Sequence, residues 1–182
     1  LKESGMLEDM KSKNIKWVYI CGVDNIMAQM VDSTLLGLAI KKKVSGAAKA
    51  IRKAYPEEKV GIFCKSNGKP RVIEYIDMTE DMIYEKNDNG DLLYGLSYFV
   101  SNLLKIEAIE EIAKHELKYH CALKKNMYKF ESFIFDGFEF LDDMAIMEVD
   151  RNKEFAPIKN ATGVDSPATA IQIYERNLKN EI

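Results

Sequence analysis

The sequence predicts an α/β fold with one antiparallel hairpin, as a single unit over residues 1–182. A nearly unbroken apolar run, Trp17–Cys21, is typical of a strand covered on both faces in the centre of a sheet. Asn67-Gly68 lies between two β-rich runs, which is the strongest short signal for a hairpin. Helical segments alternate with the strands, and no repeat or linker divides the chain.

In the first third of the chain, helices and strands alternate. Residues 1–13 have helical apolar spacing, and Asp32-Ser33 is a capping signal for a helix over residues 34–42. Residues 44–53 are small and apolar, and we interpret them as a strand, with a helix as the competing interpretation because of the alanines.

The hairpin joins residues 60–65 to residues 71–76. A period of two would put Val72, Glu74 and Ile76 on one face, so that a carboxylate lies on an apolar face. Two interpretations are open: Glu74 reaches water from an edge strand, or it accepts hydrogen bonds from ligand hydroxyls inside a pocket.

The second half continues the alternation. Residues 92–104 are apolar and cross the core, and the next segment is a helix with a charged outer face. Residues 129–140 hold five phenylalanines, of which Phe135 and Phe138 fit a strand as well as a helix. Residues 145–149 form a further strand.

The last predicted element is a helix capped by Ser166, with Pro167 at its first position. Its predicted buried stripe consists of Ala168, Ile171, Tyr174 and Leu178.

Composition points to an ordinary soluble globular protein. The chain is 47% hydrophobic and 30% charged, with a net charge of −3, so nothing argues for a nucleic-acid partner. No long apolar run predicts a membrane span, and the charged N-terminus lacks the apolar core of a secretion signal. The chain begins with Leu1, not Met, which suggests a fragment or a processed chain.

The three cysteines, Cys21, Cys64 and Cys121, are far apart and odd in number, which predicts buried free thiols in a reducing cytoplasm. His115 and His120 lie near Cys121, but their segment is typical of a solvated helix end followed by a short strand. That pattern argues against a zinc site.

No common catalytic motif is present. The ten glycines form no phosphate-binding loop, and the two histidines suggest no nucleophilic constellation. Asp24-Asn25 follows the first strand, where an acid suits either a Mg²⁺ site on a phosphate or a simple turn. Lys159, in a proline-containing loop, is either a ligand contact or an ordinary surface lysine.

Four blocks of residues resemble one family. CGVDNIM, VIEYIDM, FESFIFDGFEF and KEFAPIKNATG occur in the order seen in eukaryotic-type UDP-N-acetylhexosamine pyrophosphorylases, relatives of the UDP-sugar pyrophosphorylases. The resemblance runs from about Met6 to Tyr174 and corresponds to the C-terminal part of the catalytic region. It implies part of a Rossmann-like, GT-A type mixed sheet. The family's Gly-Gly-x-Gly-Thr-Arg loop does not occur in these 182 residues.

The resemblance also implies a role for each candidate site residue. Asp24 would hold Mg²⁺ on the nucleotide phosphates, and Lys159 would bind the reacting phosphates. Glu74 would accept hydrogen bonds from sugar hydroxyls, and Phe133 and Phe135 would line the sugar pocket. The implied reaction is attack of a sugar-1-phosphate on UTP, giving a UDP-sugar and pyrophosphate.

One departure from the family lies at Ser97-Tyr98-Phe99, where the family has Gly-Asn and an apolar residue. Tyr98 would replace an amide that contacts the sugar, which leaves the sugar undetermined. The long insert of animal members before the aromatic segment is also absent.

Three hypotheses follow: part of a uridylyltransferase, a nucleotide-sugar or sugar-phosphate binding module without catalysis, and a folded fragment without activity. Because the Gly-rich loop is missing, we expect the 182-residue chain to be inactive alone. We also expect an exposed sheet edge or apolar face, and self-association through it.

Overall fold

The computed structural model describes residues 1–124 and 126–180 of the chain. The strands are β1 (Trp17–Cys21), β2 (Gly46–Arg52), β3 (Ile62–Ser66), β4 (Lys69–Ile73), β5 (Leu96–Lys105), β6 (His120–Lys124), β7 (Met127–Glu131) and β8 (Met144–Glu148). The α-helices are α1 (Met6–Ser12), α2 (Ser33–Lys42), α3 (Glu80–Tyr84), α4 (Ile106–Ile112), α5 (Arg151–Glu154) and α6 (Pro167–Asn180). Two 3₁₀ segments cover Tyr75–Asp77 and Ile134–Phe140.

The main sheet is organised around β5. One flank of β5 pairs antiparallel with β2, which pairs parallel with β8. The other flank is shared: β1 pairs with residues 101–105, and β3 begins opposite Ser97. The β3–β4 hairpin completes the sheet, and β6 and β7 form a separate hairpin. β1 and β2 run antiparallel to β5, and β8 runs parallel to β2. The carboxyl ends of β1, β2 and β8 therefore lie at the same end of the sheet.

The first strand lies at an edge, so its predicted central position was wrong. Within the described residues β1 pairs only with β5, and its side chains are half-buried. Its apolar run has another cause: Trp17 and Tyr19 pack on one layer of the core, and Val18 and Ile20 pack on the other. The unpaired edge itself agrees with the expectation of an exposed edge; self-association stays a prediction.

Helices cover the two faces of the sheet unequally. On one face α2 packs Leu35 and Ala39 against small residues of β2 and β8, Ala47 and Ala145, which let the helix approach closely. On the other face a larger cluster joins α1, α4 and the second 3₁₀ segment, with Phe138 fully buried in it.

Local signals placed most elements correctly. The Asp32 side chain caps α2 by accepting from the backbone N–H groups of Thr34 and Leu35, as expected. Residues 46–52 form a strand, so the helical alternative is wrong there. The short helix α5 was not predicted.

The final helix begins where predicted but turns a different face inward. Ile171, Tyr174 and Leu178 are 52%, 46% and 45% exposed, so the predicted buried stripe is wrong. Asn177 Nδ2 donates to the Asn152 carbonyl of α5 at 2.6 Å, and Arg176 also contacts Asn152. These polar contacts rotate the helix so that its apolar stripe faces outward.

Two further patterns were misread. The strand β4 ends at Ile73, and Glu74 precedes the first 3₁₀ segment, which leaves Ile76 63% exposed; the shared face with Val72 does not exist. The aromatic segment is neither one helix nor one strand. It is β7, with Phe130 exposed, followed by 3₁₀ structure that buries Phe135.

The cysteines are free thiols as predicted, but Cys21 and Cys64 are only half-buried and Cys121 is exposed, so the prediction that they are buried was wrong. His115 and His120 contact different carboxylates, those of Glu111 and Asp136. Among the described residues no helix has the length and apolar character needed to cross a membrane.

Gly68 tests the backbone of the first hairpin. It has a φ of +78°, and a Cβ there would meet nothing within 4 Å, so Gly68→Ala costs only left-handed backbone strain. We expect a loss of about 1–2 kcal/mol in the free energy of unfolding, measured by urea denaturation. Gly37→Ala, in the helix α2 with equally open space, is the matched control and should stabilise. Equal effects at both glycines would contradict the turn geometry.

Candidate functional site

The site begins as a gap along β5. On the flank that β1 and β3 share, the segment 98–100 has no strand partner within the described residues. A glycine stands on each side of this gap. The Gly22 amide donates to the Val100 carbonyl at 2.9 Å, and the Tyr98 amide donates to the Gly61 carbonyl at 2.7 Å. The two strands therefore diverge around a short length of β5.

A cavity of about 300 Å³ opens at this gap. All of the site residues predicted from the sequence line it: Asp24, Glu74, Tyr98, Phe133, Phe135 and Lys159. Distant parts of the chain thus supply two carboxylates, one ammonium group and three aromatic rings to one cavity. The sequence did not single out Lys59 and Gly61, which also line it; no local pattern marks either one.

Asp24 lies just beyond the carboxyl end of β1. Its side chain folds over Gly22, because a Cβ added there would be 2.7 Å from Asp24 Oδ1. Among the described residues no group of three or more His, Cys, Asp or Glu side chains could hold a metal ion. A divalent cation at Asp24 would therefore need most of its ligands from bound phosphates and water, which is how Mg²⁺ is usually held.

Lys159 is brought to Asp24 by a strap, residues 154–159, that crosses the end of β1. The Ile158 amide donates to the Asp24 carbonyl at 2.8 Å. The exposed Lys159 ammonium lies 5.8 Å from the centre of the Phe155 ring and makes no ion pair within the described residues. An exposed ammonium group that lines the same cavity as the Asp24 carboxylate suits the binding of a phosphate that also carries a metal ion.

Glu74 is half-buried and has no side-chain hydrogen bond in the described part of the chain. Burial raises the pKa of its carboxyl, His120 lowers it, and the neighbouring acids Asp77, Asp136 and Glu131 raise it further. A partly dehydrated carboxylate gains most from donors that a ligand brings. Sugar hydroxyls are such donors.

Aromatic rings form the wall and the floor of the cavity. Phe133 and Phe135 stack with their centroids 4.8 Å apart, and Tyr98 meets Phe135 edge to face at 5.3 Å. Asn102 Nδ2 donates to the Tyr98 hydroxyl at 2.9 Å. Burial raises the pKa of Tyr98 to about 12, so the phenol stays neutral. Aromatic faces of this kind suit the apolar faces of a sugar or an acyl group.

Comparison with known proteins identifies the family. The sequence model described as UTP–glucose-1-phosphate uridylyltransferase matches residues 1–171. The chain belongs to this family. The resemblance deduced from the four sequence blocks is therefore confirmed.

Curated relatives point to one branch of the family. UDP-N-acetylglucosamine diphosphorylase 2 of Arabidopsis thaliana is 39% identical over 93% of this chain and 37% of its own length. UDP-N-acetylhexosamine pyrophosphorylase-like protein 1 of Homo sapiens is 34% identical over 94% of this chain and 38% of its own length. The chain thus spans about two fifths of the relatives it matches.

A solved structure supports the fold. The uridine diphosphate N-acetylglucosamine pyrophosphorylase of Trypanosoma brucei, in complex with an inhibitor, superposes with a TM-score of 0.84 at 31% identity. The match covers 92% of this chain and 36% of that one. The predicted mixed α/β fold of a nucleotide-diphospho-sugar transferase is confirmed.

The raised pKa of Glu74 gives a pH-dependent prediction. Between its ordinary pKa of 4.5 and its raised folded value, the folded protein holds a proton that the unfolded chain has lost. The contribution of Glu74 to stability therefore falls as pH rises through that interval. Relative to Glu74→Gln, the native protein should lose free energy of unfolding as the pH rises above the ordinary pKa of 4.5, measured by urea denaturation. The exposed Glu80, changed to Gln, is the control; parallel curves for the native protein and Glu74→Gln would contradict the assignment.

Proposed function

We propose that this chain forms the phosphate- and sugar-binding part of an enzyme that transfers UMP from UTP to a sugar-1-phosphate. The products are a UDP-sugar and pyrophosphate, and the sugar is N-acetylglucosamine-1-phosphate or a related hexose-1-phosphate. The observation that carries the proposal is the single cavity in which Asp24, Glu74, Phe133, Phe135 and Lys159 meet. The names of the relatives agree with it.

The reaction needs stabilisation of negative charge on the phosphates more than it needs a nucleophilic side chain. A phosphate oxygen of the sugar-1-phosphate attacks the α-phosphorus of UTP, and the bond from that phosphorus to the β-phosphate bridge breaks. Two anions must approach and negative charge builds up on the five-coordinate phosphorus. Lys159, exposed and unpaired within the described residues, can lie against these oxygens and lower the cost of their approach.

Asp24 is the proposed anchor for Mg²⁺. The ion supplies charge neutralisation on the phosphates when it is bound. The single carboxylate fits this cofactor, because Mg²⁺ in nucleotide sites is commonly held by one or two carboxylates together with substrate phosphates. Gly22 leaves the space that the Asp24 side chain occupies.

Glu74 and the aromatic wall are proposed to hold the sugar. The half-buried Glu74 carboxylate accepts hydrogen bonds from sugar hydroxyls, and the stacked Phe133 and Phe135 cover an apolar face. Tyr98 closes the floor, and its neutral hydroxyl accepts a hydrogen bond from Asn102.

A non-catalytic nucleotide-sugar binding module is the second candidate. The observation that favours it is Tyr98, a bulky ring that is only 8% exposed and fills the cavity floor. Pyrophosphate release separates the two functions, since a binding module takes up a UDP-sugar without turnover.

Lys159→Ala is the sharpest test of the enzyme assignment. Loss of one preorganised charge contact typically costs about 3 kcal/mol, or more than a hundredfold in rate. Turnover is measured as pyrophosphate release by a polypeptide that carries this chain together with the family's Gly-rich loop. The exposed Lys153→Ala, on the neighbouring helix α5, is the matched control and should keep its turnover. Near-normal turnover by Lys159→Ala would contradict the role of Lys159 in binding the reacting phosphates.

Gly22→Ala tests the anchoring of the metal ion. The added Cβ would displace only the end of the Asp24 side chain, so we expect the fold to survive and Mg²⁺-dependent binding of UDP-N-acetylglucosamine to weaken. Isothermal titration with and without Mg²⁺ measures the effect. Asp24→Asn should weaken binding in the same way, and the double variant should show no further loss, because both changes remove one interaction. Additive losses would contradict a shared cause.

A further inference from the structure

Three charged groups that do not line the cavity have no part in the proposed chemistry: Lys49 and Glu154 are buried and Asp32 is half-buried. The Lys49 side chain in β2 is fully buried, and its ammonium lies 2.7 Å from Asp32 Oδ2 and 2.6 Å from Glu154 Oε2. Burial alone would lower the pKa of Lys49, but its hydrogen bonds to Asp32 and Glu154 raise it above the ordinary value. The group therefore stays charged.

A buried ion cluster of this kind is weak evidence for a role in stability alone. Replacing such charges together by apolar side chains of similar volume is often neutral or stabilising, because desolvation offsets the attraction. An ion cluster does fix the relative positions of the segments that carry its charges, since the charged groups must stay within hydrogen-bond distance of one another. Lys49 therefore fixes the positions of the two segments that carry Asp32 and Glu154.

On one side Lys49 holds the start of α2. Asp32 uses its other oxygen to cap that helix through the amides of Thr34 and Leu35, so it is already fixed by α2 itself. Among the described residues, Asp32 has no hydrogen bond to the strap.

On the other side Lys49 holds Glu154, where the strap begins. The Glu154 carbonyl accepts from Asn25 Nδ2 at 2.7 Å, and Asn25 Oδ1 accepts from the Ala156 amide at 2.8 Å. Two residues later the Ile158 amide donates to the Asp24 carbonyl. These three hydrogen bonds join the strap to the loop after β1, and we call them the zipper.

We propose that Lys49 and Asn25 are positioning residues that set the spacing between Asp24 and Lys159. Asp24 lies on the loop, directly before Asn25, and Lys159 lies on the strap, directly after Ile158, so the hydrogen bonds between the two segments bring the two residues together. Lys49 fixes the beginning of the strap from behind, and Asn25 joins the strap to the loop. The inference rests on the proposed function, because it assigns these two groups to one phosphate-bound metal site.

The test compares two isosteric changes that each remove one carboxylate from Lys49. Glu154→Gln weakens the anchor of the strap, and Asp32→Asn weakens only the side that leads to α2. Hydrogen exchange at the Ala156 and Ile158 amides, followed by NMR on the folded chain, reads the zipper directly. We expect exchange at both amides to quicken by about tenfold or more in Glu154→Gln, and to change less than about twofold in Asp32→Asn.

Ligand binding is the second readout. Titration of UDP-N-acetylglucosamine with Mg²⁺ should give a Kd about tenfold weaker in Glu154→Gln and within about twofold of the native value in Asp32→Asn, because a misplaced charge pair loses its fit to the phosphates. A purely structural role would lower both melting temperatures and leave the two Kd values alike, which would overturn the proposal.

Asn25→Ala keeps the test decisive if Glu154→Gln does not fold. It removes both side-chain bonds of the zipper without touching the buried charges, and the same loss of protection and affinity is expected. Unchanged exchange at Ala156 and Ile158 in the folded variants would overturn the inference. If the native chain shows no binding while the exchange difference persists, the proposed function fails and the zipper stands.

Discussion

The sharing of one flank of β5 by two strands is the constraint on which the rest of the structure depends. β1 pairs with one end of this ten-residue strand and β3 with the other, and the backbone between them is left without a strand partner in the described chain. Gly22 and Gly61 make the two closest approaches to that backbone. A sheet normally satisfies every backbone group with a neighbouring strand. Here the interruption creates a concave place where side chains from several segments converge.

The electrostatics of the cavity follow from how each segment arrives there. Asp24 and Lys159 come on loops at the sheet edge and remain accessible to solvent, which suits groups that meet a charged, hydrated ligand. Glu74 comes from the end of the β3–β4 hairpin and is half-buried, and this burial raises the pKa of its carboxyl. The cavity therefore has a solvent-accessible side, with Asp24 and Lys159, that suits phosphates, and a less hydrated side, with Glu74, that is lined with aromatic rings.

Much of the secondary structure could be predicted from local signals. The Asn67-Gly68 turn, the Asp32 cap and the Ser166-Pro167 helix start were all placed correctly, because each depends on residues that are neighbours in sequence. The failures share a different cause. The outward stripe of α6 depends on polar contacts with α5, and the edge position of β1 depends on which strands are available to pair with it. Periodicity reports which residues are apolar, not what lies opposite them.

The sequence by itself determined the family, the types of residues at the site and the approximate places where strands end, because motif blocks and turn chemistry are local. Only the tertiary structure decided that these residues share one cavity, that Tyr98 forms its floor, and that Lys49 is a buried charge in a strand that otherwise reads as small and apolar. Lys49 could not have been found from its neighbours. Its two carboxylate partners come from distant segments, and burial of an ammonium group is tolerable only once the fold has brought them within hydrogen-bond distance.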